Sequence, residues 1–237
     1  MTLRLSQFDA VMVDLDGTLI DTMGDFDIAL QRMLAELGLP HIASVEIERR
    51  IGKGSEYLIR SVLSYALGLR AASAGEPMPP DDAVLDDFFV RGWPLYQAHY
   101  LAVNGANATV YPGVTEGLQL LRSRGLRMAC LTNKPTAFAL PLLAAKSLDG
   151  YFDVVFGGDA FERRKPDPMP LLKTCEALHS TPARTLMLGD SSNDAQAARG
   201  AGCPVLLMTY GYNHGAPIRG VDADGFLDSM ADLARLG

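Results

Sequence analysis

Residues 14–18 read Asp14-Leu15-Asp16-Gly17-Thr18, directly after the apolar run Ala10-Val11-Met12-Val13. That run has the length and branched side chains of a buried strand. Two carboxylates therefore stand where a strand ends, the place at which open α/β sheets bind ligands. Two positions apart on extended chain, Asp14 and Asp16 project to the same side. Like charges that close need a shared proton or a cation between them. Mg²⁺ answers that need, since it takes oxygen ligands and usually one or two carboxylates. The competing reading of this segment alone is a strand-to-helix turn with solvated acids.

Three further polar clusters repeat the arrangement. Leu131-Thr132-Asn133-Lys134 follows the strand-like run 126–130, and Lys165-Pro166-Asp167-Pro168 comes after Val154-Val155-Phe156. Gly189-Asp190-Ser191-Ser192-Asn193-Asp194 follows Thr185-Leu186-Met187-Leu188. Acids, a hydroxyl, an amide and lysines thus gather at strand ends, the inventory for metal-assisted chemistry on a phosphoryl group.

In order, the four clusters resemble the four motifs of the haloacid dehalogenase superfamily. Asp14-Leu15-Asp16-Gly17-Thr18 matches the first, Thr132 the second, Lys165 the third, and Gly189-Asp190 with Asp194 the fourth. With their strands these segments cover residues 8 to about 22 and 109 to about 210. The resemblance implies that Asp14 is a nucleophile forming an aspartyl-phosphate, and that Asp16 protonates the leaving alcohol and then activates water. It implies Mg²⁺ held by Asp14, the main-chain carbonyl of Asp16 and Asp190, with Asp194 either a further ligand or a neighbour that holds the ligands in place. Thr132 and the adjacent Asn133 amide would bind phosphoryl oxygens, and Lys165 would offset the negative charge of nucleophile and phosphate. Dehalogenases and phosphonate hydrolases of the superfamily generally lack an acid at the position of Asp16; its presence favours phosphoester hydrolysis.

Three stretches resemble phosphoglycolate phosphatases within that superfamily: Gly52-Lys53-Gly54-Ser55-Glu56, Arg164-Lys165-Pro166-Asp167-Pro168, and the Gly-Tyr-Asn segment in Tyr210-Gly211-Tyr212-Asn213-His214-Gly215. The expected activity is Mg²⁺-dependent hydrolysis of a small phosphate ester, with 2-phosphoglycolate the best single substrate. The alternatives are a sugar-phosphate phosphatase or a phosphosugar mutase of the same superfamily, and, outside enzymes, a binding module on the same fold. Lys53, flanked by Gly52 and Gly54 in a turn, is expected to read a substrate carboxylate; a solvated turn lysine is the other reading. Lys134 and His214 are divided between site and surface or turn, whereas His41, His99 and His179 read as surface or cap residues.

With 237 residues, 48% of them hydrophobic and 21% charged, the chain can bury a full core and hold one domain plus an insertion. A net charge of −7 argues against nucleic-acid binding. No apolar run approaches a membrane span and no signal peptide opens the chain. Cys130, Cys175 and Cys203 have no ligand spacing and read as buried reduced thiols, so a cytoplasmic monomer or homodimer is expected.

The elements that must position these residues divide in two. Strand–helix alternation surrounds a purely helical stretch, which predicts an α/β core of residues 1–22 and 107–237 with a helical cap of residues 23–106 inserted after the first strand. In the cap, Ile28, Leu30, Met33, Leu34 and Leu37 recur at helical spacing up to Gly38-Leu39-Pro40. A second helix is expected to end at Gly68, followed by a loop over 71–80. A third starts at Asp81-Asp82 and is expected to be irregular at Gly92-Trp93-Pro94. Residues 204–208 form a fifth core strand, and Gly225-Phe226-Leu227 a short edge strand. The resemblance supplies a Rossmann-like parallel sheet in the order 3-2-1-4-5.

Overall fold

The computed structural model describes residues 3–75 and 81–237. Strand β1 (Ala10–Val13) runs into a tight turn and the short strand β2 (Ile20–Asp21). Four helices follow: α1 (Met23–Glu36), α2 (Ser44–Glu48), α3 (Ser55–Ala74) and α4 (Asp82–Val103). The chain returns through β3 (Thr109–Val110), which pairs antiparallel with β2. Alternation then runs through α5 (Val114–Ser123), β4 (Arg127–Leu131), α6 (Thr136–Ala145), β5 (Val154–Phe156), α7 (Met169–Ala177), β6 (Thr185–Gly189), α8 (Ser192–Ala201), β7 (Val205–Met208) and β8 (Gly225–Leu227).

The main sheet has the order β5-β4-β1-β6-β7-β8, parallel throughout. Counted among the core strands, this is the expected 3-2-1-4-5 with β8 as a sixth strand at the edge. Both faces of β1 are covered. Val11 and Val13 enter one apolar cluster with Met128, Cys130, Leu186 and Leu188; Ala10 and Met12 enter another with Ala129, Leu131, Met187 and Leu207. A strand buried on both sides must be apolar at every position, which is why β1 shows no polar alternation. β1 also lies where the chain's progress across the sheet reverses, from β4 and β5 on one side to β6 and β7 on the other. The crevice at such a reversal is the natural ligand site.

The helices α1, α3 and α4 enclose a third apolar cluster, joined from the sheet unit by Phe138 and Tyr212. Helix α3 continues past Gly68 to Ala74 and ends at Gly75, whose φ of +70° suits the left-handed cap. A glycine inside a helix costs only about 1 kcal/mol, too little to stop one that buries Leu63, Ala66, Leu67 and Ala71 on one face. The expected loop over 71–80 is thus helical as far as Ala74, and residues 76–80 lie outside the described residues. Helix α4 is also unbroken through Gly92 and Pro94. A Cβ at Gly92 would sit 3.2 Å from Leu37 Cδ1 and 3.3 Å from Met33 Sδ, so the glycine serves the close approach of α4 to α1. Asp81 caps α4 by accepting the Ala83 N–H at 3.1 Å. Cys130, Cys175 and Cys203 are free and buried. Among the described residues no helix is long and apolar enough to cross a membrane.

Candidate active site

The turn after β1 is built around one carbonyl. Leu15 O accepts the N–H groups of Leu19 and Ile20, at 3.0 and 3.1 Å, and folds the segment back on itself. Gly17 has φ +84°, and a Cβ there would collide with the Asp190 carboxylate. Only glycine permits the turn and the closeness of the two motifs. Thr18 Oγ1 donates to Asp190 Oδ1 at 3.1 Å and the Tyr212 N–H to Asp190 Oδ2 at 2.5 Å, fixing that carboxylate beside the turn.

Asp14, Asp190 and Asp194 converge, each offering a carboxylate oxygen within 4.8 Å of the others, and all three are buried. Lys165, 3% exposed, donates to Leu131 O at 2.9 Å and to Asp194 Oδ1 at 2.7 Å. Its Nζ also lies 2.9 Å from Asp14 Oδ1, an ion pair. Asp14 Oδ1 is buried with that ammonium as its neighbour. Burial, reinforced by the Asp194 and Asp16 charges and opposed by Lys165, raises the Asp14 carboxyl to about 6. Asp190 is pushed well above the usual carboxylate range, first by burial, then by Asp194 and Asp14. Burial alone would lower the Lys165 ammonium, but the two facing carboxylates hold it above its ordinary value.

One lysine among three carboxylates leaves an excess of buried negative charge, and that excess fits a divalent cation. Asp194 has both oxygens engaged: Oδ1 takes Lys165, and Oδ2 takes Ser191 Oγ at 2.7 Å and the Ser191 and Asp190 N–H groups at 3.2 and 3.3 Å. Its position suits holding Lys165 and the Asp190 loop in place.

Asp16 faces away from that cluster. Its Oδ1 accepts Thr22 Oγ1 at 2.8 Å and Lys134 Nζ at 2.8 Å. Lys134, 5% exposed, reaches across to α4 and donates to Tyr100 Oη at 2.5 Å, with the Phe26 and Tyr100 ring centroids 4.6 and 4.7 Å from its Nζ. The structure thus puts Lys134 in the site. Thr132, buried, accepts the Lys134 N–H on Oγ1 at 3.1 Å. The Asn133 side chain donates to Lys165 O at 2.8 Å and to Gly52 O at 3.0 Å, and Asn193 donates to Gly52 O at 3.1 Å. Two amides from the sheet unit therefore grip one carbonyl of the helical insertion.

A cavity lies between the insertion and the sheet. Asp14, Asp16, Thr132, Asn133, Lys165, Asp190 and Asp194 line it from below, Gly52, Gly54, Ser55 and Tyr96 from above. Lys53 is not among its lining residues: its ammonium rests over the Tyr57 ring, 5.1 Å from the centroid. With Gly52 and Gly54 both presented to the cavity, the residue between them turns outward. His214 sits behind Gly52, its ring 3.1 Å from where a Cβ would lie. Tyr96, Tyr100, Phe26 and Tyr212 were not foreseen as site residues. Phe26, Tyr96 and Tyr100 lie on helices and read as apolar core; Phe26 and Tyr96 nonetheless line the cavity with Tyr212 from the loop after β7, and Tyr100 meets Lys134 through its hydroxyl.

The chain belongs to the haloacid dehalogenase-like hydrolases, whose family profile matches residues 8–202. Its relatives narrow that class. A phosphoglycolate phosphatase of Nitrosospira multiformis is 44% identical over 227 residues, 96% of this chain and 94% of that one. One from Thiobacillus denitrificans is 41% identical, covering 95% of this chain and 93% of its own. A crystal structure of a predicted phosphoglycolate phosphatase from Haemophilus somnus superposes with a TM-score of 0.88 at 30% identity, over 97% of this chain and 98% of that one.

Proposed function

We propose that this protein is a Mg²⁺-dependent phosphatase that hydrolyses 2-phosphoglycolate to glycolate and phosphate. The observation that carries the reading is the convergence of Asp14, Asp16, Thr132, Lys165 and Asp190 on one cavity. The names of the relatives support the substrate.

Asp14 is the nucleophile. Its oxygen forms a bond to phosphorus as the bond from phosphorus to the leaving oxygen breaks. Asp16 gives its proton to that oxygen, releasing glycolate. Thr22 and Lys134 both bind its Oδ1, so Oδ2 is the oxygen left to carry the proton. In the second half Asp16 takes a proton from water, which attacks the phosphorus of the aspartyl-phosphate and frees Asp14 and phosphate. The Thr132 hydroxyl and the Asn133 main-chain N–H hold phosphoryl oxygens; the Asn133 side chain is committed to Gly52 and Lys165. Lys165 balances charge on Asp14 and on the group it attacks. Asp14, Asp190 and the Asp16 carbonyl would hold Mg²⁺, which when bound shields the nucleophile from the charge of the phosphate.

Residues 1–22 and 107–237 act as the catalytic core, and 23–106 as a cap that opens and closes about joints near Asp21-Thr22 and Asn107-Ala108. Closure keeps water from the aspartyl-phosphate until glycolate has left. The protein works in the cytoplasm as a monomer or homodimer, where its three thiols stay reduced. The test is a panel of phosphate esters with and without Mg²⁺. Turnover of 2-phosphoglycolate that disappears with chelator is expected. Preference for a hexose phosphate would move the protein to the sugar phosphatases, and failure on every ester would overturn the reading.

A further inference from the structure

The floor of the cavity accounts for the phosphoryl group, and nothing in it distinguishes one leaving group from another. Its roof contains an unexplained polar atom. Tyr96 is 0% exposed, lines the cavity, and its Oη has no hydrogen-bond partner. An unpaired buried hydroxyl costs free energy unless a ligand satisfies it. Its polar neighbour is the Ser55 hydroxyl. Ser55 is the first residue of the 20-residue helix α3, whose N-cap Gly54 has no side chain to pair the free N–H groups of the first turn. Below them, Lys134 uses two of its three ammonium protons, on Asp16 and Tyr100.

We propose that Tyr96 Oη, the Ser55 hydroxyl, the opening turn of α3 and the third proton of Lys134 together form the subsite for a carboxylate on the leaving group. This rests on the phosphatase reading and names how that site selects its ester. Every group in the subsite is a donor, and the helix end and the ammonium add positive potential, the requirements of an anion. A neutral sugar hydroxyl could bond the same hydroxyls but would gain nothing from that positive potential. Burial and the Asp16 charge keep the Tyr96 phenol well above its ordinary range, so it remains a donor at neutral pH. The subsite also adjoins Asp16, the group that protonates the leaving oxygen. A carboxylate one carbon removed from that oxygen fits; the substrate class is a phosphorylated 2-hydroxy acid.

The test compares kcat/KM for 2-phosphoglycolate with that for its carboxamide, glycolamide phosphate, in wild type, Tyr96→Phe and Ser55→Ala. Wild type should prefer the carboxylate, and Tyr96→Phe should shrink that preference roughly tenfold to a hundredfold, the loss of one hydrogen bond to a charged group, chiefly through KM. Ser55→Ala should shrink it less. Tyr96→Phe keeps the ring stacked 5.5 Å from Tyr100 and deletes an oxygen with no protein partner, so its Tm should not fall. Should Tyr96→Phe fail to fold, wild type and Ser55→Ala still decide. An equal loss on both esters would make Tyr96 merely structural and overturn the proposal. So would a wild type indifferent to the carboxylate, or a preference abolished by Lys53→Ala but untouched by Tyr96→Phe. A wild type inactive on all phosphate esters would instead overturn the phosphatase reading itself.

Discussion

Asp14 and Asp16 are two residues apart and share a cavity, yet their surroundings differ. Asp14 faces two more carboxylates and the Lys165 ammonium. Asp16 is held by Thr22 and Lys134 on a single oxygen. In the proposed mechanism that asymmetry separates nucleophile from proton carrier, and the two roles should be separable by mutation. Asp14→Asn should abolish turnover, because an amide oxygen is a very poor nucleophile. Its Tm without metal should hold or rise, since a costly buried charge is removed. Steady-state assay and a melting curve check this, with mass spectrometry to exclude deamidation back to Asp. Asp16→Asn should slow turnover by about 10²- to 10⁴-fold, the range for loss of a general acid–base group. The nucleophile remains, so rapid quench should still detect phosphoryl enzyme with an activated aryl phosphate, whose leaving group needs no proton.

At the scale of elements, the joint between insertion and sheet depends on a buried acid. Asp25, in the first turn of α1 and 0% exposed, accepts the Gly105 N–H at 2.6 Å and the Asn107 N–H at 2.8 Å. It binds the outgoing connection, where β2 becomes α1, to the returning one, where α4 leads to β3. The antiparallel β2–β3 pair does the same a few residues away. Asp25→Ala should therefore cost roughly 1–3 kcal/mol, because one buried and one part-buried main-chain donor lose their acceptor. Denaturant unfolding measures that, and a loss below about 0.5 kcal/mol would show that water replaces the carboxylate. No motif marks Asp25. In sequence it is one acid near the start of a helix, where acids are ordinary.

For the whole molecule, the acid cluster couples metal, pH and stability. The folded Asp14 carboxyl titrates at about 6, against an ordinary 3.8. Between those values the folded state holds more protons than the unfolded chain, so stability falls as pH rises through that window. Asp190, also raised, acts in the same direction. A divalent cation needs these carboxylates ionised and competes with their protons. At pH 7.5 a hundredfold excess of Mg²⁺ over its Kd should stabilise the fold by about 2.7 kcal/mol. At pH 5, about one unit below the Asp14 value, protonation of Asp14 alone should weaken binding about tenfold, so the gain should shrink by at least about 1.4 kcal/mol. Differential scanning fluorimetry with and without Mg²⁺ at the two pH values reads the difference. An equal Tm rise at both would place the metal elsewhere.

Much of this was legible in the linear chain because it depends on local chemistry. Each motif needs particular residues at the end of a strand, and strands buried on both faces announce themselves by unbroken apolar runs. Asp14, Thr132, Lys165 and Asp190 could be singled out for that reason, and so could the helical insertion. The tertiary structure decided what depends on long-range approach. Gly68 is passed over because burial along α3 outweighs its weak helix propensity, and α4 runs straight through Gly92 because α1 packs against it there. Lys53, the obvious cation of the insertion, turns out onto Tyr57, while Lys134 is drawn in by Asp16 and Tyr100. Tyr96 reads as one more core aromatic until the packing shows an unpaired hydroxyl at the cavity wall. The direction of a side chain is set by which distant element it meets, and that contact is not written at its own position in the chain.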